Sequence, residues 1–232
     1  MNDRGLHDLS QDTVGFGRAE WNTIRDSVLR PRQLLEAYMT AGPDGGGEYA
    51  RPLKLYLLLC GILMLVLFLM GGTESMMSTY PDDMFASLAE QAGKSTDAFI
   101  ADVDGWVSLT LVPVMATLYA LAAAPLLRWW DKDDLGWRKS FRASFAYMNA
   151  LTIPVLPFSF MAYRPSTAAI GGIIMALVAL VAFIRMGSPR WYRSPFAGVA
   201  KFLVLCLATG VVSLVGSIML GIIGTAGALF AP

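Results

Sequence analysis

The apolar residues of this chain gather into long runs that contain no Asp, Glu, Lys, Arg or His. The five runs cover residues 55–73, 105–127, 143–163, 165–184 and 202–232. Each is long enough to cross a bilayer as a helix, which takes about 17 to 25 residues. The pattern predicts an all-α membrane protein with about five transmembrane helices, spanning about 53–72, 105–127, 143–163, 166–185 and 200–223.

The basic residues give these spans an orientation. Of the 18 Lys and Arg residues, seven precede the first run, five lie between the second and third, and four between the fourth and fifth. The opposite loops contain only Lys94 and Arg164. Because cytoplasmic loops retain basic residues, the amino terminus is predicted to be cytoplasmic and the carboxyl terminus external. Aromatic side chains that prefer the headgroup level agree with the cytoplasmic boundary: Trp129, Trp130, Trp137, Trp191 and Tyr192.

The segment before the first span divides into two parts. Residues 1–18 have no sustained period and are predicted to be a loose cytoplasmic tail. Residues 19–50 are predicted to form interfacial amphipathic helices and a glycine-rich hinge, because Trp21, Ile24 and Val28 recur at helical spacing. An alternative, left open by the sequence, is that these helices pack on the cytoplasmic ends of the bundle.

The segment 72–104 is predicted to be an external acidic loop. It has seven acidic residues against Lys94 alone, and Pro81 with Asp82 marks the start of a helix within it. The apolar stripe Met84, Phe85 and Leu88 predicts that this helix rests on the outer rim of the bundle. The alternative is an acidic cation site, but the carboxylates lack the regular spacing of a calcium loop.

Small residues recur at helical spacing inside three of the spans. Such stripes let helix backbones approach closely in lipid. They predict helix packing within the bundle, or against a partner subunit for the last one, at Ala116, Ala120, Ala124, Ala168, Gly172, Ala176, Ala179, Ser213, Ser217, Gly221 and Gly224. Enlarging Gly221 is therefore predicted to overpack this seam.

The third span differs from the others in its polar and proline content. Tyr147, Asn149, Thr152, Pro154 and Pro157 fall within eleven residues. Prolines free backbone carbonyls that neighbouring polar groups can satisfy, which predicts a kinked packing helix. The alternative is a groove at the bend for a substrate or partner.

Composition and charge argue against nucleic acid binding, metal binding and catalysis. Apolar residues make up 55% of the chain and charged residues 16%, and the formal net charge is zero, so no charge-driven nucleic acid binding is expected. The one histidine, His7, lies in the tail, and both cysteines lie inside predicted spans. No catalytic residue, metal site or cofactor is predicted, because the charge-free runs hold no ionisable acid, base or histidine.

A family resemblance rests on short motifs. The run Trp21 to Tyr38 and then Tyr49, Arg51, Pro52 and Leu53 resembles the opening of bacterial Yip-domain and related membrane families. The third span is similar as well, through Ser140, Phe141, Arg142, Ala146, Tyr147 and Pro154. The resemblance implies five spans in a bacterial inner membrane, and it implies no catalytic residue.

These observations favour a non-enzymatic integral membrane protein, an accessory, assembly or scaffold subunit. Its expected partners are the lipid bilayer and other membrane proteins, and its oligomeric state is left open. The alternative function is a carrier or channel for a neutral or amphipathic solute that uses the kinked third span.

Overall fold

A computed structural model describes residues 17–40, 48–69, 82–133, 135–159, 161 and 166–230. Within these ranges every regular element is a helix and none is a strand, so the all-α prediction is confirmed. The tail before Gly17 and the glycines of the predicted hinge lie outside the described residues.

Eight α-helices follow one another along the described chain. A short 3-10 turn, Leu156–Phe158, directly follows the helix that ends at Val155. The helices are α1 (Arg18–Leu29), α2 (Pro31–Thr40), α3 (Pro52–Leu69), α4 (Asp82–Gln91), α5 (Thr96–Trp130), α6 (Trp137–Val155), α7 (Ala168–Gly187) and α8 (Pro195–Phe230).

Three of these helices, α5, α7 and α8, are long and apolar enough to cross a membrane. Helix α3 has an apolar stretch, Pro52–Val66, that is shorter. Helix α6 is outside this group because its first turns carry Arg138, Lys139 and Arg142. The structure thus supports a membrane protein with three candidate spans, and the remaining two stay a prediction.

The longest contact in the fold is the antiparallel pairing of α5 with α8. These helices have 35 and 36 residues, which at 1.5 Å per residue is about 53 Å each. At one end, the Lys201 ammonium lies 5.6 Å from the centre of the Trp130 ring. At the other end, Gly227 lies directly against the Trp106 ring. From Trp106 to Trp130 the pairing covers about 36 Å, a little more than the roughly 30 Å of a hydrocarbon core.

Helix α6 contacts five other helices: α1, α2, α3, α5 and α7. Its Asn149 side chain donates a hydrogen bond of 2.9 Å to the Pro52 carbonyl at the start of α3. Its Tyr147 hydroxyl donates one of 3.2 Å to the Ala179 carbonyl on α7. It also packs along α5. The polar residues of α6 thus fix neighbouring helices in place.

The largest apolar cluster lies at the end of the bundle that carries α1, α2, the α5–α6 loop and the α7–α8 loop, here named the basic end. Phe183 is at its centre, with Trp191 and Tyr192 packed on its ring at centroid distances of 5.4 and 5.9 Å. Leu34 and Tyr38 of α2 are fully buried in the same cluster. For α2, therefore, the structure shows the alternative in which the helix packs on the bundle. A second cluster, built on Phe85, Phe99 and Val103, closes the opposite end.

Candidate functional site

Helix α1 turns four polar side chains inward and three large apolar ones outward. Glu20, Thr23, Asp26 and Ser27 are buried. Three large apolar side chains are exposed on the opposite side: Trp21 by 63%, Leu29 by 61% and Val28 by 36%. A helix on a water-facing surface shows the reverse arrangement. The outward apolar face is therefore the feature of the basic end that needs a functional explanation.

The buried face of α1 binds the short segment that leads into α3. The Thr23 hydroxyl accepts a hydrogen bond of 2.9 Å from the Ala50 amide and donates one of 2.7 Å to the Ala19 carbonyl. The Tyr38 hydroxyl donates to the Ala50 carbonyl at 2.7 Å. Both backbone groups of Ala50 are thus satisfied, which allows this irregular segment to be buried.

Two carboxylates complete this contact. Lys54 of α3 donates to Glu20 at 3.0 Å, and the Tyr49 hydroxyl donates to Asp26 at 2.8 Å. Burial alone would raise the pKa of Glu20, but hydrogen bonds from Lys54 and from the helix backbone leave it below its usual value. The hydrogen bond from Arg25 holds the pKa of Asp26 below its usual value in spite of burial. Both groups therefore carry their charge at neutral pH and hold α1 on the start of α3.

Arg185 fixes the other end of α1. Its guanidinium donates hydrogen bonds of 2.7 and 2.9 Å to the carbonyls of Val28 and Leu29. These are among the last carbonyls of the helix, which have no partner within the helix itself, and a cation is favourable there. Helix α1 is thus bonded to Lys54 of α3 at one end and to Arg185 of α7 at the other, and it packs against α6 and α2 between them.

Arg190 forms the second polar assembly of the basic end. Its side chain is 4% exposed and donates to Asp131 at 2.5 Å, Asp133 at 2.9 Å and Glu36 at 3.0 Å. Burial by itself would lower the pKa of Arg190, but the three carboxylates raise it, so the guanidinium stays charged. One side chain from the α7–α8 loop thereby joins α2 to the α5–α6 loop.

Of the five aromatic residues predicted at the membrane boundary, two are exposed, two are buried, and Trp130 is half-buried against Phe183. Trp129 and Trp137 are exposed, by 79% and 54%, and the Arg128 guanidinium lies 5.0 Å from the centre of the Trp137 ring. Trp191 and Tyr192 are instead buried, at 1% and 6% exposure. The α7–α8 turn folds these two residues onto Phe183, and their predicted position at the membrane boundary stays a prediction.

The residues of the possible groove in α6 do not share one surface. Tyr147 bonds to α7 and Asn149 to α3, while Thr152 and Pro154 are half-buried and Pro157 is exposed in the 3-10 turn. The Asn149 side-chain oxygen is buried without a hydrogen-bond partner among the described residues. These polar side chains therefore serve helix contacts first.

The predicted packing stripes are only partly internal. Ala116, Ala120 and Ala124 of α5 are buried, whereas Gly172 and Ala176 of α7 are exposed and Ala168 and Ala179 are half-buried. On α8, Ser213 bonds to Tyr119 at 3.0 Å and Gly224 is buried, but Ser217 is exposed.

Gly221 is not part of the internal seam of α8. A Cβ atom built on it meets no atom within 4 Å, so the overpacking predicted for Gly221 is corrected for contacts within the chain. The residue that the sequence argument missed is Gly216, which lies against Met115 and Leu118. Its only sequence signal is a repeat every four residues, Gly216, Leu220, Gly224 and Ala228, which shares Gly224 with the predicted stripe.

Among the described residues, no group of three or more His, Cys, Asp or Glu side chains stands ready to hold a metal ion. The chain matches no protein-family model, no curated protein and no solved structure.

Proposed function

We propose that this chain is a non-enzymatic integral membrane protein, an accessory, assembly or scaffold subunit that contacts lipids or other membrane proteins through its basic end. The observation that supports this most is the outward apolar face of α1, a helix that is hydrogen-bonded to Lys54, Tyr49 and Arg185. In this proposal α1 lies flat in the headgroup layer of a bacterial inner membrane.

The polar groups of the basic end support a structural rather than a chemical role. Glu20, Asp26 and Arg190 are each engaged in contacts between elements. An enzyme needs an acid, base or nucleophile aimed at a space for substrate. Here these groups point at other parts of the chain.

The proposal includes five spans, with α3 and α6 added to the three candidates and the amino terminus in the cytoplasm. Reporters fused at Ser87, Arg164 and the carboxyl terminus should read as external, and those at Gly45, Asp133 and Ser188 as cytoplasmic. The reason is the strong bias of basic residues toward one set of loops. A cytoplasmic reading at Arg164 would mean that α6 and the segment after it enter and leave on the same side, and the five-span topology would be wrong.

Isolation in mild detergent tests the role itself. The tagged protein should co-isolate with a defined membrane protein or a defined lipid in a fixed ratio. That ratio should fall several-fold in the double variant Trp21→Ser, Leu29→Ser, since exposed apolar side chains of this size contribute about 1.5 to 3 kcal/mol each when buried.

Trp129→Ser serves as the matched control, because Trp129 is also exposed at the basic end but lies on α5. A lone chain without partner or retained lipid, or an equal loss in both variants, would contradict the proposal.

A second candidate function is a carrier for a neutral solute. The observation that favours it is the buried Asn149 side-chain oxygen, which has no hydrogen-bond partner among the described residues. Vesicles containing the protein should show no more flux of neutral solutes than empty vesicles. Flux that Asn149→Ala abolishes would favour the carrier instead.

A further inference from the structure

The exposed face of α1 combines apolar and basic side chains and excludes acidic ones. At 100° per residue, Arg18, Trp21, Arg25, Val28 and Leu29 lie within one sector of about 100°. All five are exposed, while both acidic residues of α1, Glu20 and Asp26, lie on the buried side. The helix thus presents two guanidinium groups among three large apolar side chains.

We propose that this face binds anionic phospholipid headgroups in the leaflet next to the basic end. The inference rests on the proposed interfacial position of α1 and adds the class of lipid that it selects. Trp21, Val28 and Leu29 would enter the acyl boundary, and the arginines would stay at the level of the phosphates, as long cationic side chains do at a bilayer surface.

Charge complementarity supports an anionic lipid over a neutral one. Arg25 bonds to Asp26 at 3.0 Å and still has half of its side chain exposed. Arg185 covers the last carbonyls of α1, so the negative end of the helix dipole is neutralised where a phosphate would otherwise be repelled. Basic residues at a bilayer surface favour anionic lipids by up to about five-fold each.

The position of α1 relative to α3 supports a lipid over a soluble partner. Glu20 is bonded to Lys54, in the first turn of the apolar helix α3, and Lys54 is itself 60% exposed. The apolar face of α1 therefore begins where the chain enters the membrane. Arg30 and Arg32, both exposed at the junction of α1 and α2, continue the basic surface.

Quenching of Trp21 by brominated lipids tests this proposal with the full chain in phosphatidylcholine vesicles. The vesicles contain brominated phosphatidylglycerol or, at the same mole fraction, brominated phosphatidylcholine. The share of Trp21 is the difference between the natural chain and Trp21→Phe. The anionic lipid should quench Trp21 about two- to five-fold more than the neutral lipid, and high salt should reduce this ratio.

Variants that remove positive charges test whether the preference for anionic lipid depends on the arginines of α1. Arg18→Gln combined with Arg25→Gln should bring the ratio close to one while quenching by the neutral lipid stays the same, which shows that α1 still lies in the bilayer. Arg193→Gln, an exposed cation in the α7–α8 loop, should leave the ratio unchanged.

Two results would overturn the inference, and they differ in what else they affect. Equal quenching by both lipids in the natural chain would remove the lipid selectivity and leave the interfacial position of α1 intact. No quenching by either lipid would show that α1 is away from the bilayer, and the proposed function would lose its main support as well.

Discussion

Replacing Arg190 with methionine should destabilise the protein by about 3 to 5 kcal/mol, the cost of removing one partner of a buried ion pair. Asp131 carries most of this cost, because its side chain is fully buried and would lose the cation that neutralises it. Asp133 and Glu36 are more exposed, at 59% and 37%, so water can replace much of the hydrogen bonding to Arg190 that they lose. Arg190→Lys should destabilise the protein less than Arg190→Met does, but it should not reach the stability of the natural chain. An ammonium cannot reach three carboxylates with the geometry of a guanidinium.

Denaturation in a fixed detergent measures this effect. Arg193→Met is the matched control, because Arg193 is three residues away in the same loop and is exposed. Its free energy of unfolding should change by no more than about 0.5 kcal/mol, the usual range for surface substitutions. If Arg190→Met and Arg193→Met unfold together, the carboxylate cluster is solvated, and Arg190 does not join α2 to the loops.

The sequence could not have predicted the Arg190 cluster. Its carboxylates lie 57 to 154 positions away along the chain, and a charge pattern shows that residues are charged without showing their partners. The same limit explains Trp191 and Tyr192. Aromatic residues beside a span are typical of the headgroup level, and only the path of the α7–α8 turn decides that these two face Phe183.

The long apolar helices were predictable because a transmembrane helix can be recognised from consecutive residues of the sequence alone. A charge-free run of sufficient length indicates a span whatever surrounds it, which holds for α5, α7 and α8. Helix α6 was harder to assign, since its buried Ser140, Ser144 and Asn149 reflect neighbours that the sequence does not name.

For α1, the sequence predicted an apolar edge without showing which way it faces. Trp21, Ile24 and Val28 keep the same spacing whether they face a core or a bilayer. The polar partners supplied by Tyr49, Ala50 and Lys54, which lie between 20 and 25 residues after α1, decide which way the helix faces. Ile24 is half-buried against the start of α3, so only part of the predicted edge faces outward.

A large effect on the contact between α5 and α8 should come from Gly224. A Cβ atom at this position would lie 2.7 Å from the Val107 side chain and 3.2 Å from the Val103 carbonyl oxygen. The backbone oxygen belongs to a hydrogen-bonded helix and cannot rotate away. At Gly216, by contrast, the nearest atoms belong to the flexible side chain of Met115, so a larger residue can displace them. Gly224→Leu should therefore be the more damaging of the two changes.

Gly224→Leu should separate α8 from α5 at the end near Val103 and cost about 1 to 3 kcal/mol, the usual penalty for overpacking a close contact. The matched control is Gly221→Leu, three residues earlier on α8, where a Cβ atom meets nothing within 4 Å. Both changes remove a glycine from a helix interior and gain a similar propensity of about 1 kcal/mol, so the difference between them reports packing alone. Stability is measured by unfolding in a fixed detergent mixture. Gly224→Ala should be milder than Gly224→Leu, and combining it with Val107→Ala should restore most of the stability that Gly224→Ala loses. A greater loss for Gly221→Leu than for Gly224→Leu would refute the seam and would place Gly221 against a second copy or another membrane protein.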